Sequence, residues 1–184
     1  MAILTKLQLN TITQRDLGYV SLSTVLNEAK SESRTYSETT IFLSHSHTDK
    51  EWVEKIVVFF RKLGIRVYVD WMDSAMPPVT SSETAIKIRE KIKANKKFIL
   101  LATDTAIASK WCNWELGFGD AHKYINNIAI FPLSESSGAW TGTEYFRIYP
   151  YFSKKNIWEQ TKWDFEIIYP DGTKKDIIEW LRTT

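Results

Sequence analysis

An α/β fold, a doubly wound parallel sheet of about five strands flanked by helices, is predicted for residues 39 to 184 by two features of the sequence. Short apolar runs of strand length, Ile41 to Leu43, Ile65 to Val69, Phe98 to Ala102 and Ile128 to Leu133, alternate with segments of helical period. The run Phe98 to Ala102 is apolar at every position, as a central strand covered on both faces must be.

Taken in order, residues 1 to 38 form a polar extension. It carries one helical pattern from Gln14 to Ala29 (Leu17, Val20, Leu22, Val25, Leu26), with Thr13 and Asp16 resembling its N-terminal cap. Lys30 to Thr40, rich in Ser, Thr and Glu, reads as a linker. After the strand Ile41 to Leu43 and a loop of Ser44, His45, Ser46 and His47, the pair Thr48 and Glu51 predicts a capping box. Trp52, Val53, Ile56, Phe59, Phe60 and Leu63 give the helix its inner face, and Gly64 ends it. Asp70 to Val79 contains two prolines and no helical period. A loop of about ten residues is longer than most connections in such folds. Thr80 with Glu83 predicts a second capping box, followed by a helix buried at Ala85, Ile88 and Ile92 whose charged residues, Lys87 to Lys93, form a solvated face. Thr103 to Lys110 is read as a loop and Trp111 to Tyr124 as a helix. Pro132 and the polar run after it stop the next strand, Arg147 to Phe152 is an edge strand carrying Pro150, and Phe165 to Tyr169 is another strand. A turn at Pro170 to Gly172 leads to a helix from Lys174 to Leu181. Trp140, Trp158, Trp163 and Trp180 are expected to pack this tail.

With 24 basic and 22 acidic residues, the formal net charge of +2 gives no case for nucleic acid or an anionic membrane as partner. No apolar run approaches the roughly 20 residues of a membrane span, and no signal-peptide pattern opens the chain, so the expected location is cytoplasmic. One cysteine, Cys112, excludes an internal disulfide and any multi-cysteine metal site. His45 and His47 lack a third partner of metal-ligating type, so no metal is expected, and no glycine-rich phosphate loop is present.

The most informative stretch is Ser109-Lys110-Trp111-Cys112-Asn113-Trp114-Glu115, which sets one carboxylate and two indoles at the start of a helix that follows a parallel strand. Folds of this class bind ligands at that end of the sheet. Trp111 and Glu115 are four residues apart and share a helix face, a pairing able to hold a flat cationic ring against a single acid. On spacing alone the plainer reading wins, with Glu115 a first-turn glutamate favoured by the helix dipole, and Trp111, Trp114 and Cys112 are open to a packing role.

Four motifs, in order, resemble the Toll/interleukin-1 receptor (TIR) domain family. They are Phe42-Leu43-Ser44-His45-Ser46 with Asp49; Val67-Tyr68-Val69-Asp70-Trp71; Phe98 to Ala102 with Thr103; and Ser109-Lys110-Trp111-Cys112-Asn113-Trp114-Glu115-Leu116. The last is similar to the S-x-W-C-x-x-E-L form of plant and bacterial members that cleave NAD. The resemblance implies a flavodoxin-like TIR fold, Glu115 as catalytic carboxylate and Trp111 as the ring-stacking aromatic, with Trp71 as a second candidate for that contact. Ser44, His45, Ser46, Asp70, Trp71, Asp73, Ser109 and Cys112 would border the substrate. It further implies that NAD+ is a substrate rather than a cofactor, that the product is ADP-ribose or a cyclic isomer made for a separate effector, as in Thoeris anti-phage systems, and that copies associate through the BB loop, residues 70 to 79. Two departures stand out. Ser46 and His47 occupy positions where many relatives carry basic residues, and the BB loop has Pro77-Pro78-Val79 where receptor domains have glycine. The alternatives to an NAD-cleaving enzyme are a TIR interaction module without turnover and a receiver-like domain, the latter lacking the clustered acids it would need after the first strand.

Overall fold

The structure, a computed structural model, describes residues 3–31, 40–77, 81–136, 144–155 and 164–183. Its elements are β1 (Leu4–Thr5), α1 (Lys6–Leu17), α2 (Leu22–Ser31), β2 (Thr40–Ser44), α3 (Lys50–Lys62), β3 (Arg66–Tyr68), α4 (Ser82–Ala94), β4 (Lys97–Ala102), α5 (Asp104–Ala108), α6 (Lys110–His122), β5 (Ile128–Ser134), β6 (Tyr151–Lys154), β7 (Phe165–Ile168), β8 (Lys174–Asp176) and α7 (Ile177–Arg182). The five parallel strands expected are β3, β2, β4, β5 and β6 in that spatial order. β7 and β8 extend the sheet antiparallel, and β1 pairs with β5, making eight strands.

Side-chain alternation along these strands divides the core. Ile41, Leu43, Ile99, Leu101, Ala129 and Phe131 face α1, α3 and α7, whereas Phe42, Phe98, Leu100, Ala102, Ile128 and Ile130 face α4 and α6. All six residues of β4 are buried, as the centre of the sheet requires. The first face is rich in rings: Phe59, Phe131 and Phe165 meet edge to face or tilted, and Trp180 closes on Phe152. Each such ring contributes roughly 1.5–3 kcal/mol on burial. On the second face α6 lies so close to β4 that a Cβ on Gly119 would stand 3.2 Å from the Phe98 ring.

Several local expectations are corrected. The single helix Gln14 to Ala29 is two, because Gly18 adopts φ 55° and turns the chain between α1 and α2. The first cap is Thr5 with Gln8, not Thr13 with Asp16, and Thr13 instead bonds its hydroxyl to the Leu9 carbonyl. Within the expected polar extension, Leu4 pairs with Leu133, and Leu9, Ile12 and Leu26 enter the core; most of the expected linker, residues 32–39, lies outside the described residues. The Thr48 and Glu51 capping box does not form. A 3-10 turn, His47–Asp49, leads into α3, and Glu51 pairs with Lys55 one turn on. Thr80 is outside the described residues, and the box that caps α4 is Ser81 with Thr84. Thr103 to Lys110 contains α5, capped by the Thr103 hydroxyl. β5 runs through Pro132, the last register position opposite β4, and then takes β1 as its partner. The strand after Pro150 is interior, between β5 and β7, and Lys174–Asp176 is a strand rather than the start of α7. Of the tail tryptophans Trp180 is fully buried, and the other three fall outside the described residues.

Candidate active site

From β2 the chain crosses through α3 to β3 on one side and then through α4 to β4 on the other. The carboxyl ends of β2 and β4 therefore diverge at a topological switch point, where open α/β sheets form their ligand crevice. Glu115 is delivered there by α6. Ser109 accepts the Cys112 N–H at 3.3 Å and caps the helix, fixing its first turn. Ser44 is the last residue of β2 and is 1% exposed. Its hydroxyl donates to Glu115 Oε2 at 2.5 Å, joining residues 71 positions apart.

Glu115 is only 3% exposed. Burial pushes its carboxyl up to about 8, with the Asp70 carboxylate adding to the rise, while hydrogen bonding from Ser44 and from the Trp111 side chain opposes it. The acid is thus poised near neutrality, a property concentrated at functional sites. Trp111 is half-buried beside it, with Trp114 tilted against it at 4.9 Å between ring centroids; Trp114 stacks in turn on Phe118 and Phe118 on His122, a ladder along the outer side of α6. Cys112 is buried at 1% exposure, and burial lifts its thiol to about 11, so it is an inert packing group at neutral pH.

His45 and Asp70 stand at the same edge, with Nε2 of His45 3.5 Å from Asp70 Oδ1. Ser46 is half-buried and bonds its hydroxyl to Thr48 at 3.1 Å. Asp73 is turned to another task. Although desolvation acts to raise it, Lys91, the Ala75 N–H and the Tyr68 hydroxyl hold its carboxyl below the ordinary range. It ties β3 to α4 through Tyr68 at 2.9 Å and Lys91 at 2.8 Å, and Lys87 clasps the Ala75 carbonyl at 2.6 Å. The first half of the BB loop is thereby pinned to α4. Trp71 packs on the α3 face, under Lys50 at 4.9 Å, and does not join the cluster that holds Trp111.

Asp49, in the first of the four motifs, has a structural role that its place in the sequence does not disclose. It is 3% exposed and receives the hydroxyls of Thr103 at 2.5 Å and Thr105 at 3.0 Å, locking the loop after β2 to the loop after β4. A Thr-x-Thr directly after a central strand was the signal available. Among the described residues no group of three or more His, Cys, Asp or Glu could hold a metal ion, and no helix is long and apolar enough to cross a membrane.

Fold and site together define a doubly wound α/β domain with two buried acids, Asp49 and Glu115, at its switch point. The TIR domain family matches residues 41–162. A protein of Bacillus cereus (strain MSX-D12) named "Probable 3' cyclic ADP-D-ribose synthase ThsB'" is 32% identical over 149 residues, covering 77% of this chain and 75% of that protein. A Cytobacillus dafuensis protein named "Putative cyclic ADP-D-ribose synthase TIR2" is 31% identical over 117 residues, 55% of this chain and 31% of that protein. The solved TIR domain of the Toll-related receptor TRR-2 from Hydra magnipapillata is 21% identical, with a TM-score of 0.40 over 49% of this chain and 66% of that one. The chain belongs to the TIR domain family.

Proposed function

We propose that this chain cleaves the nicotinamide–ribose bond of NAD+ and closes the remainder into a cyclic ADP-ribose isomer, or releases ADP-ribose or a related signalling nucleotide, in a Thoeris-type anti-phage response. The observation that carries the reading is the Glu115 carboxyl, buried at the switch point with Ser44 on one oxygen and Trp111 alongside. The names of the two bacterial relatives support the same chemistry.

The reaction asks for few groups. The C1'–N bond breaks with both electrons passing to the pyridinium nitrogen, so nicotinamide leaves neutral and needs no proton. The positive charge moves to the ribose as an oxocarbenium ion. A carboxylate in a water-poor site stabilises that ion far better than it could in water. Glu115 is proposed to do so, and the cationic substrate ring itself favours ionisation of a carboxyl whose empty-site value is about 8. Capture by water gives ADP-ribose; capture by the substrate's own adenine or ribose hydroxyl gives a ring, the attacking group losing its proton. Trp111 offers an indole to the pyridinium, a cation–π contact of about 0.5–2 kcal/mol.

Self-association through residues 70 to 79 and a separate effector that reads the product complete the proposal. A second reading, an interaction module without turnover, is favoured by one fact: at 3% exposure Glu115 is closed to substrate in the single chain. Incubation with NAD+, alone and under crowding, separates the two. Free nicotinamide formed by the wild type and absent with folded Glu115→Gln supports the enzyme; undiminished release by that variant removes Glu115 from the mechanism, and silence throughout favours the module.

A further inference from the structure

Among the described residues three lysines are buried: Lys55 at 7% exposure, Lys97 at 1% and Lys154 at 6%. A buried ammonium calls for a partner, because leaving water is costly for an unpaired charge. Lys55 has the Glu51 carboxylate at 2.5 Å and the Trp52 ring at 4.3 Å. Lys97 has the Asn127 amide oxygen at 2.6 Å and the Trp180 ring at 4.7 Å. Lys154 has no hydrogen bond, ion pair or aromatic face among the described residues, and desolvation holds its ammonium below the ordinary lysine range with no anion to oppose it.

What Lys154 has instead is space. It shares a face of β6 with Phe152, the face that α1 covers, and there it lines a cavity of about 100 Å3 together with Leu7, Gln8, Thr11 and Ile12 of α1. The polar groups left over in that lining are donors. Gln8 Oε1 accepts the Thr5 N–H at 3.1 Å in the capping box, which fixes the amide and leaves Nε2 to donate elsewhere. The Thr11 hydroxyl is already given to the Leu7 carbonyl at 3.0 Å. No carboxylate lines the cavity, and Gln8 stands in the first turn of α1, where the helix dipole favours negative charge. Ile12 supplies an apolar wall from the core, and Leu7, an exposed leucine, adds apolar surface on the solvent side.

We infer that this cavity binds a small monoanion, its carboxylate against Lys154 and Gln8 and a short apolar body against Leu7 and Ile12. One positive charge and one amide match the two oxygens of a carboxylate, whereas a phosphate dianion would keep oxygens without a donor. At roughly 30 Å3 for each water, the volume equals about three waters, enough for an acid of a few carbons. The bound ligand bridges α1 to β6 and fastens the N-terminal segment to the sheet. The site is separate from Glu115 and owes nothing to the chemistry proposed there.

Propionate is the probe. At pH 7 and constant ionic strength it is expected to raise the melting temperature saturably, by roughly 3–6 °C at ten times its dissociation constant. Propionamide, of the same shape without the charge, and inorganic phosphate should leave it in place, and Lys154→Met, of similar length without the charge, should lose the response to propionate. A shift matched by chloride alone, or kept in Lys154→Met, overturns the inference; a shift matched by phosphate or propionamide overturns the carboxylate as its ligand. If the variant does not fold, methyl spectra of the wild type decide. The Leu7 and Ile12 signals should move saturably with propionate, and signals that stay in place overturn the site.

Discussion

Asp49 and Glu115 are equally buried, each 3% exposed, and lie at the same end of the sheet, yet their surroundings differ. Two threonine hydroxyls converge on Asp49 and reach both of its oxygens, at 2.5 Å and 3.0 Å. Glu115 receives one hydroxyl, from Ser44 on Oε2, and hydrogen bonding from the Trp111 side chain, but it has another carboxylate in its field and burial raises it to about 8. The first acid has been given the partners that make a buried charge tolerable; the second has been left short of them. A fold gains nothing from an under-solvated carboxyl, so the contrast separates an acid that holds two loops together from the one proposed to meet a cation.

The largest effect expected is on catalysis. Glu115→Gln should lower nicotinamide release by at least about a thousandfold, as removal of a key electrostatic group does, whereas Asp49→Ala should leave the acid limb of the pH profile where it is. In the wild type, kcat/KM in the free enzyme should fall about tenfold for each pH unit below about 8, because the ionised carboxyl is the active form. A flat profile between pH 6 and 9 would show that burial does not set the acid's state.

Stability should run in opposite directions for the two residues. The Glu115 carboxyl rises from 4.5 to about 8 on folding, so the folded state binds the proton more tightly than the unfolded one. The cost of ionising it is absent below pH 4.5, grows as pH rises toward 8, and is complete above that; at about 1.4 kcal/mol per pH unit the bound is ~5 kcal/mol. Glu115→Gln is therefore expected to melt higher than the wild type at pH 9 and close to it at pH 4. Asp49→Ala should instead lose about 2–3 kcal/mol in urea unfolding at neutral pH, the worth of hydrogen bonds to a buried charge and of the hydroxyls left behind. The smallest effect is Gly119→Ala. Its Cβ at 3.2 Å from Phe98 should cost about 1 kcal/mol and, by pushing α6 from β4, loosen Glu115 without touching Asp49.

The same contrast separates what the sequence could disclose from what it could not. Strand and helix periods are local, so β2 to β5 and the helices α3, α4 and α6 between them are legible from their residues, whereas the five residues of α5 are too few to show a period. Glu115 and Trp111 were legible through their helical spacing and the motif around them. The bond from Ser44 to Glu115 spans 71 positions, and what distinguishes Asp49, a clamp, from Glu115, the acid proposed to react, depends on which hydroxyls converge in space. No single-residue property distinguishes them. The resemblance sets Asp73 and Trp71 at the border of the site, whereas in the fold Asp73 pairs with Lys91 and Trp71 lies across the sheet from Trp111. At the N-terminus a two-residue strand leaves no period to detect, and its place is set by a partner far along the chain.

That distant pairing has a consequence for how the chain is made. Leu4 and Thr5 meet Leu133 and Ser134, and Lys6 forms an ion pair with Glu135 across 129 positions. The ribosome delivers one half of this clasp first and the other only after β2, β3, β4 and the helices α1 to α6 have been synthesised. Closure of so long a loop brings little reward until the intervening sheet exists. Residues 4 to 6 are thus made early but are among the last to find their place, and through most of synthesis β1 waits for the end of β5 with which it pairs.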